Sequence, residues 1–165
     1  MPLGEGHMTV REESRLDLGG GLAPVPGHIN IDIISRADIQ WDLNKGLPVS
    51  DIELGEKRFY AWGDIVGIRS HHLIEHLDSI IPLMNDCYTV MKEGALFELS
   101  TPLASTKEYW QDPTHKRGYI PESFLYFCKN SPFEKEQREY GITARFEIIR
   151  NEVVDGWQLE VVLKK

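Results

Sequence analysis

The sequence predicts an α/β fold: an open, mostly parallel sheet that ends in an antiparallel hairpin. In the first two thirds of the chain, short apolar runs are bounded by Gly, Pro, Asp or Asn, as is typical of buried parallel strands. The last third holds two alternating segments joined by Asp155-Gly156, which favours a hairpin. Strands and a helix followed by a hairpin indicate one antiparallel strand in an otherwise parallel sheet.

Five short apolar segments are the predicted parallel strands. They cover residues 15–18, 28–33, 37–41, 64–68 and 95–100. The hairpin is predicted over 144–153 and 157–163, with one face of each strand in the core.

The clearest predicted helix lies between the fourth and fifth strands. Asp78 is its expected N-cap, Pro82 falls in its first turn, and Gly94 is expected to end it. Apolar residues at helical spacing form one stripe that we expect in the core: Ile80, Ile81, Met84, Cys87, Tyr88 and Met91. A second helix is predicted over 121–129, and three of its residues are expected to be buried: Phe124, Leu125 and Phe127.

Length and composition predict one domain over residues 15–165, preceded by a tail over 1–14 in which Gly6-His7-Met8 resembles a cloning scar. The chain has 165 residues, 41% of them hydrophobic, enough for a single core. Its net charge of −8 disfavours nonspecific binding to nucleic acid or anionic lipid. No run is long and apolar enough to span a membrane. Cys87 and Cys128 lack CxxC spacing, which favours reduced thiols in a cytoplasmic protein.

A glycine turn followed by an acid is the main functional signal. Gly19–Gly21 follow the first strand and Asp32 ends the second. Glycines let the backbone approach a ligand closely, and a carboxylate at the tip of the next strand can bind both hydroxyls of a ribose. Pro24 and Pro26 exclude a long helix directly after the turn, so a pyrophosphate on a helix N-terminus is disfavoured. The pattern favours a cofactor with ribose and adenine but no phosphate; the alternative is a tight turn without a ligand.

The first crossover is unusually short. Only residues 19–27 separate the first two strands, whereas parallel neighbours normally need a dozen residues or more. The usual helix must therefore be absent or reduced to a turn, and residues 44–63 are also poor in helical pattern. One face of the sheet is predicted to be thinly covered, which favours a partner protein or self-association, such as a homodimer, at that face.

These motifs together resemble class I S-adenosylmethionine-dependent methyltransferases, most of all the small, type 11-like methyltransferase-domain proteins with the pattern LxLGxGxxxxPGxxNxDI. The matching residues are Leu16-Asp17-Leu18-Gly19-Gly20-Gly21, Pro26-Gly27, Asn30 and Asp32, and the likeness continues through 37–39, 41–44, 70–77, 91–94 and 110–117. This subgroup tolerates a missing first crossover helix. The resemblance implies a Rossmann-like fold, S-adenosylmethionine as cofactor and methyl transfer to a small acceptor. It departs at Gly20, where the family often has Cys or another small residue.

The resemblance also implies which residues contact the cofactor: Asp17, Gly19, Gly20, Gly21, Asp32, Ile33, Asp42, Leu43, Arg69, Ser70 and His71. The glycine turn would pass under the methionine part, and the last three residues would line the floor near the sulfonium. Asp32 would bind the ribose, with Ile33 against the adenine. Asp42 would accept from the adenine amino group, and the backbone N–H of Leu43 would donate to the ring. Two alternatives remain: Asp42 caps the turn after the third strand, and Asp17 is a satisfied buried acid.

Histidines after the fourth and fifth strands are the candidate catalytic residues. Methyl transfer is an in-line displacement, and transfer to an oxygen also benefits from a base that takes the hydroxyl proton. His115 is the favoured base or acceptor contact and His72 is the second candidate, since neutral imidazole accepts a proton near pH 7. The expected acceptor is small and hydroxylated, such as a sugar, and would contact Tyr109, Trp110 and Asp112. Two alternatives stay open: Asp112-Pro113 only starts a turn that Thr114 caps, and the protein is a non-catalytic, S-adenosylmethionine-binding regulatory or interaction module.

Two further patterns are disfavoured. His72-Leu73-Ile74-Glu75-His76 matches the HxxEH pattern of a zinc protease family, but it follows a short strand instead of lying within a long helix, so no metal is expected. Asp112-Pro113-Thr114 resembles the Asp-Pro-Pro motif of DNA amino-methyltransferases, but it follows the wrong strand. A nucleic-acid substrate is therefore not expected.

Overall fold

A seven-stranded sheet organises the chain in a computed structural model that describes residues 13–48 and 65–165. The order across the sheet is β3-β2-β1-β4-β5-β7-β6. The strands are β1 (Ser14–Leu18), β2 (Ile29–Asp32), β3 (Ile39–Gln40), β4 (Ile65–His71), β5 (Met91–Pro102), β6 (Glu147–Val154) and β7 (Gln158–Lys164). Strands β1 to β5 are parallel, and β7 pairs antiparallel with both β5 and β6. Among the described strands only β7 is reversed, which confirms the predicted sheet.

The central strands are longer than predicted and the edge strand is shorter. β4 continues to His71 and β5 to Pro102. Each of these strands is hydrogen-bonded to a neighbour on both sides, so polar residues at its end stay in the sheet. β3 has a neighbour on one side only and keeps two residues. Asp64, the predicted first residue of the fourth strand, lies outside the described residues, as does most of the tail.

Six short helical segments cover the chain between the strands. The α-helices are α1 (Ile81–Val90), α2 (Lys107–Trp110) and α3 (Glu134–Glu139), and the 3₁₀ helices are Leu43–Lys45, Ile74–His76 and Pro121–Phe127, all within the described residues. The predicted second helix is therefore a 3₁₀ helix, in which Phe124 and Phe127 are buried and Leu125 only partly so. The sequence pattern does not predict α2 and α3, because helices of four and six residues are too short to show an apolar period.

The two predicted ends of α1 are wrong. Ile80 occupies the N-cap position, and the Ser79 hydroxyl accepts from the N–H of Ile81 at 3.3 Å. At the other end Met91 is already extended and pairs with Ile65 of β4. Pairing in the sheet thus ends the helix before Gly94, which lies in β5 with φ of 81°.

One face of the sheet carries the core. The α1 stripe is buried as predicted at Ile80, Met84, Cys87 and Met91, while Ile81 and Tyr88 are partly buried against the same cluster. The core also includes the fully buried rings of Phe97, on β5, and Phe146, directly before β6, with centroids 6.3 Å apart.

The opposite face is polar. Asn30, Asp17, Arg69 and Glu98 lie side by side across β2, β1, β4 and β5, and a cavity of about 330 Å³ opens beside Arg69. The connections over residues 19–28 and 33–38, both fully described, contain no helix, which confirms that the first crossover helix is missing. Most of the next crossover lies outside the described residues, and self-association through this face stays a prediction.

Candidate functional site

The glycine turn closes over the carboxyl end of β1 and is held by β2. Gly19 and Gly21 have φ of 69° and 58°, values that favour glycine. The Gly19 N–H donates to the carbonyl of Ile31 at 2.8 Å, and the Gly21 N–H donates to Asp32 Oδ2 at 2.9 Å. Asp32 Oδ1 accepts from the N–H of Ile34 at 3.3 Å. A carboxylate offers about four lone-pair sites, so Asp32 can still accept from two further donors.

Gly20 is enclosed by two buried polar side chains. A Cβ at this position would lie 2.7 Å from both Asn30 Oδ1 and Asp17 Oδ2. Asp17 is 1% exposed, accepts from the N–H of Val25 at 2.8 Å and lies 3.9 Å from Arg69 Nη1. It therefore has the bonds expected of a satisfied buried acid. A side chain at position 20 would therefore not fit without movement of Asp17 or Asn30.

Gly20→Ala is expected to destabilise the protein by about 1–3 kcal/mol, because the added methyl overpacks the space between Asp17 and Asn30. Urea unfolding checks it, with Ala23→Ser, an exposed position in the same loop, as the control. Equal midpoints for the two variants would contradict the steric account.

Apolar and acidic residues flank Asp32 at the ends of β2 and β3. Ile33 is 65% exposed. The N–H of Trp41 donates to the Asp32 carbonyl at 2.8 Å, which places Asp42 beside the end of β2. Asp42 caps the 3₁₀ helix that follows, since its Oδ1 accepts from the N–H of Asn44 at 3.0 Å. The capping alternative therefore holds for Asp42, and the Leu43 side chain is in the core.

The end of β4 and the residues directly after it connect the glycine turn to a second group of polar residues. The Leu73 side chain packs against Gly19, where a Cβ would lie 2.9 Å from it. Ser70 is buried, and its hydroxyl has no hydrogen-bond partner within the described part of the chain. His71 lies at the surface, and its Nδ1 bonds the Ser100 hydroxyl. Partial burial of its ring, helped by the nearby His72 and Arg69, lowers the pKa of His71.

His72 and Glu75 form a bonded pair at the end of β4. Glu75 is fully buried, and its Oε1 lies 3.1 Å from His72 Nδ1 while its Oε2 accepts from the Thr101 hydroxyl at 3.2 Å. His72 Nε2 lies 3.1 Å from Gln158 Oε1, and Gln158 Nε2 donates to Glu160, which fixes the amide orientation. Both ring nitrogens of His72 therefore face acceptors, as an imidazolium requires.

The hydrogen bond to Glu75 raises the pKa of His72 in spite of burial. His72 is therefore expected to keep its proton to a higher pH than its neighbour His71, whose pKa is lowered. An NMR titration of the imidazole resonances of both residues measures this order directly. The reverse order would show that Glu75 and Gln158 do not hold the charged ring.

A cavity of about 300 Å³ lies beyond the carboxyl ends of β4 and β5. It is lined by His72, Glu75, His76, Pro102, Glu108, Gln111, Asp112, His115 and Trp157. The structure thus brings three of the predicted residues together: His72, Asp112 and His115. The ring of Trp157, which follows the hairpin turn, stacks on His72 with centroids 5.8 Å apart.

His115 is held from behind by Tyr109. Its side chain is 7% exposed, its Nδ1 lies 2.6 Å from the Tyr109 carbonyl, and the two rings stack with centroids 5.3 Å apart. A carbonyl only accepts, so Nδ1 carries the proton and the lone pair of the neutral ring is on Nε2. Asp112 Oδ2 lies 3.7 Å from that Nε2.

The other two predicted acceptor contacts differ in position. Tyr109 is buried behind His115, and Trp110 is 75% exposed and outside the cavity lining. Asp112 does form the turn considered as an alternative: its Oδ1 accepts from the N–H and the hydroxyl of Thr114, at 2.8 and 2.6 Å. Asp112 can form this turn and also contact an acceptor, because the same turn places His115 in the cavity.

Comparison with solved structures supports the fold. The chain resembles S-adenosylmethionine-dependent methyltransferases from Archaeoglobus fulgidus (TM-score 0.59, 17% identity, 93% of this chain and 86% of that chain) and Mesorhizobium loti (0.56, 12%, 94% and 92%). A third, from Methanosarcina mazei, has a TM-score of 0.52 at 15% identity, over 96% and 95%. No family model and no curated protein matches the sequence. The chain has the Rossmann-like fold of class I methyltransferases, as predicted. None of the described helices is long and apolar enough to cross a membrane.

Proposed function

We propose that this protein binds S-adenosylmethionine at the carboxyl ends of β1 to β3 and transfers its methyl group to a small hydroxylated acceptor in the cavity beside β4 and β5. One observation carries the proposal. Leu73 packs against the glycine turn, while Glu75, two residues later, lines the cavity. The cofactor edge and the acceptor cavity are thus adjacent, as an in-line transfer requires.

The residues at the carboxyl ends of β1 to β3, called here the cofactor edge, fit S-adenosylmethionine. A Cβ on Gly21 would meet no atom within 4 Å, so the space above the turn is open. Asp32 retains lone pairs for the ribose hydroxyls, and the exposed Ile33 offers apolar surface to the adenine. When bound, S-adenosylmethionine supplies an electrophilic methyl group on a sulfonium.

The remaining cofactor contacts are part of the same proposal. Asp42 uses Oδ1 for its cap and would accept from the adenine amino group, next to the backbone N–H of Leu43. Arg69, Ser70 and His71 would line the floor near the sulfonium. The buried, unpartnered hydroxyl of Ser70 supports this placement.

In the acceptor cavity we assign His115 as the proton acceptor. Its Nε2 lone pair faces Asp112, whose carboxylate would stabilise the imidazolium that forms when the acceptor hydroxyl gives up its proton. His72 is a weaker candidate base, because both its ring nitrogens are already bonded, to Glu75 and to Gln158. We therefore assign His72 to positioning Glu75. A cavity of about 300 Å³ suits a small acceptor such as a sugar.

Asp32→Asn is expected to weaken binding of S-adenosylhomocysteine by about 1.5–3 kcal/mol, or about 10- to 150-fold, because charge-assisted hydrogen bonds to the ribose are lost. The amide oxygen can still accept from Gly21, so the turn should keep its shape. Calorimetric titration measures the affinity. The matched control is Asp155→Asn, the same change at the distant hairpin turn, which should bind like the unchanged protein.

One assay distinguishes an active methyltransferase from a non-catalytic module that only binds the cofactor. Radiolabelled S-adenosylmethionine is incubated with the protein and a panel of sugars and other hydroxylated molecules. Methyl transfer to an acceptor supports the enzyme. Cofactor binding without transfer to any of them supports a regulatory or interaction module, and absence of binding overturns both.

A further inference from the structure

We propose that Glu75, His76 and His115 form a binding site for a divalent transition metal, of which Zn²⁺ is the best match. One ligand atom from each residue lies within 4.8 Å of the other two. In a tetrahedral site the atoms bound to one Zn²⁺ at about 2.1 Å are about 3.4 Å apart, so the ligand atoms would have to move together by at most about 1.5 Å to complete the site.

The cluster is tied together by the backbone. Glu75 and His76 lie in one 3₁₀ helix, and the Glu75 carbonyl accepts from the N–H groups of Lys116 and Arg117 at 2.7 and 3.1 Å. These bonds fix the loop that carries His115 against the helix. The His76 and His115 rings meet edge to face, with centroids 4.8 Å apart.

Both histidines present the nitrogen that a metal needs. The Thr114 hydroxyl donates to Asp112, so it accepts from His76 Nδ1 at 3.1 Å. His115 Nδ1 donates to the Tyr109 carbonyl. Each neutral ring therefore has its lone pair on Nε2, and each Nδ1–H is bonded to an oxygen, the arrangement that orients metal-binding histidines.

The donor set indicates the class of metal. Two imidazoles and a carboxylate favour Zn²⁺ or Co²⁺ over Mg²⁺ and Ca²⁺, which prefer oxygen ligands. Asp112 Oδ2, 3.7 Å from His115 Nε2, adds negative charge at the edge of the site. His72 is excluded as a ligand because Glu75 and Gln158 occupy both its nitrogens. The ligand set therefore differs from that of the HxxEH motif.

The role of the metal, unlike its binding, rests on the proposed function. A cation in this cavity would bind the acceptor oxygen and make the hydroxyl easier to ionise. His115 would then hold the cation, and the hydroxyl proton would pass to water instead of to His115.

The test is calorimetric titration of the EDTA-treated full chain with Zn²⁺ and Co²⁺, together with the visible absorption of the Co²⁺ form. We expect one site with tetrahedral Co²⁺ bands. His76→Ala and His115→Ala should each bind at least about tenfold more weakly, whereas His28→Ala should bind like the unchanged protein. If an alanine variant does not fold, His76→Gln or His115→Gln replaces it. No binding, or binding that neither substitution weakens, overturns the proposal.

S-adenosylhomocysteine affinity, measured on the same samples, separates this proposal from the proposed function. Cofactor binding without metal binding overturns only the metal site. Metal binding without cofactor binding supports the metal site and overturns the methyltransferase proposal.

Discussion

His115→Ala is expected to lower kcat/KM for methyl transfer by about 10²- to 10⁴-fold, the usual contribution of a positioned base. The substitution removes the Nε2 lone pair from the acceptor cavity. It leaves the glycine turn and Asp32 untouched, so the affinity for S-adenosylhomocysteine should not change. The rate is measured with labelled S-adenosylmethionine and the best acceptor from the panel, in metal-free buffer.

The control is His28→Ala, which removes an imidazole beside the glycine loop, outside the acceptor cavity. Its kcat/KM should equal that of the unchanged protein. A His115→Ala enzyme with unchanged kcat/KM would rule out the assignment of the base.

Local patterns were enough to predict most of the fold. The strands and the α1 stripe could be found because apolar spacing is read over a few neighbouring residues. The end of α1 could not, since Met91 leaves the helix to pair with Ile65, which lies far away in sequence. A glycine such as Gly94 signals a helix end only when no sheet pairing competes for the residues before it.

The two parts of the site differ in how well the sequence predicts them. The cofactor edge is built from neighbouring segments, so the glycine turn and Asp32 could be identified together. The acceptor cavity is not local: Gln158, which bonds His72, comes from β7, and Trp157 directly precedes it. The sequence placed Glu75 and His76 after the fourth strand, within both the methyltransferase resemblance and the zinc-protease pattern, but no local signal placed His115 beside them.

Glu75→Gln is expected to destabilise the protein by about 1.5–3 kcal/mol at pH 6, because a hydrogen bond between charged groups is lost. The size of the loss should depend on pH. The pKa of His72 is raised in the folded protein, so its stabilisation is complete below the unfolded value of about 6.5 and is lost as the pH rises through the folded value. The deficit of the variant should therefore shrink between pH 6 and pH 9.

Urea unfolding of both proteins in EDTA, at several pH values, measures this deficit. The lowered pKa of His71 makes the free energy of unfolding rise with pH in both proteins. This contribution largely cancels when the two proteins are compared. Glu108→Gln, the same change on a less buried residue of the same cavity, should show little deficit at any pH. A double-mutant cycle with His72→Asn should give a coupling energy that falls with rising pH. A coupling that is small at every pH in this range would mean that His72 carries no charge beside Glu75, which would contradict the assignment of a charged pair.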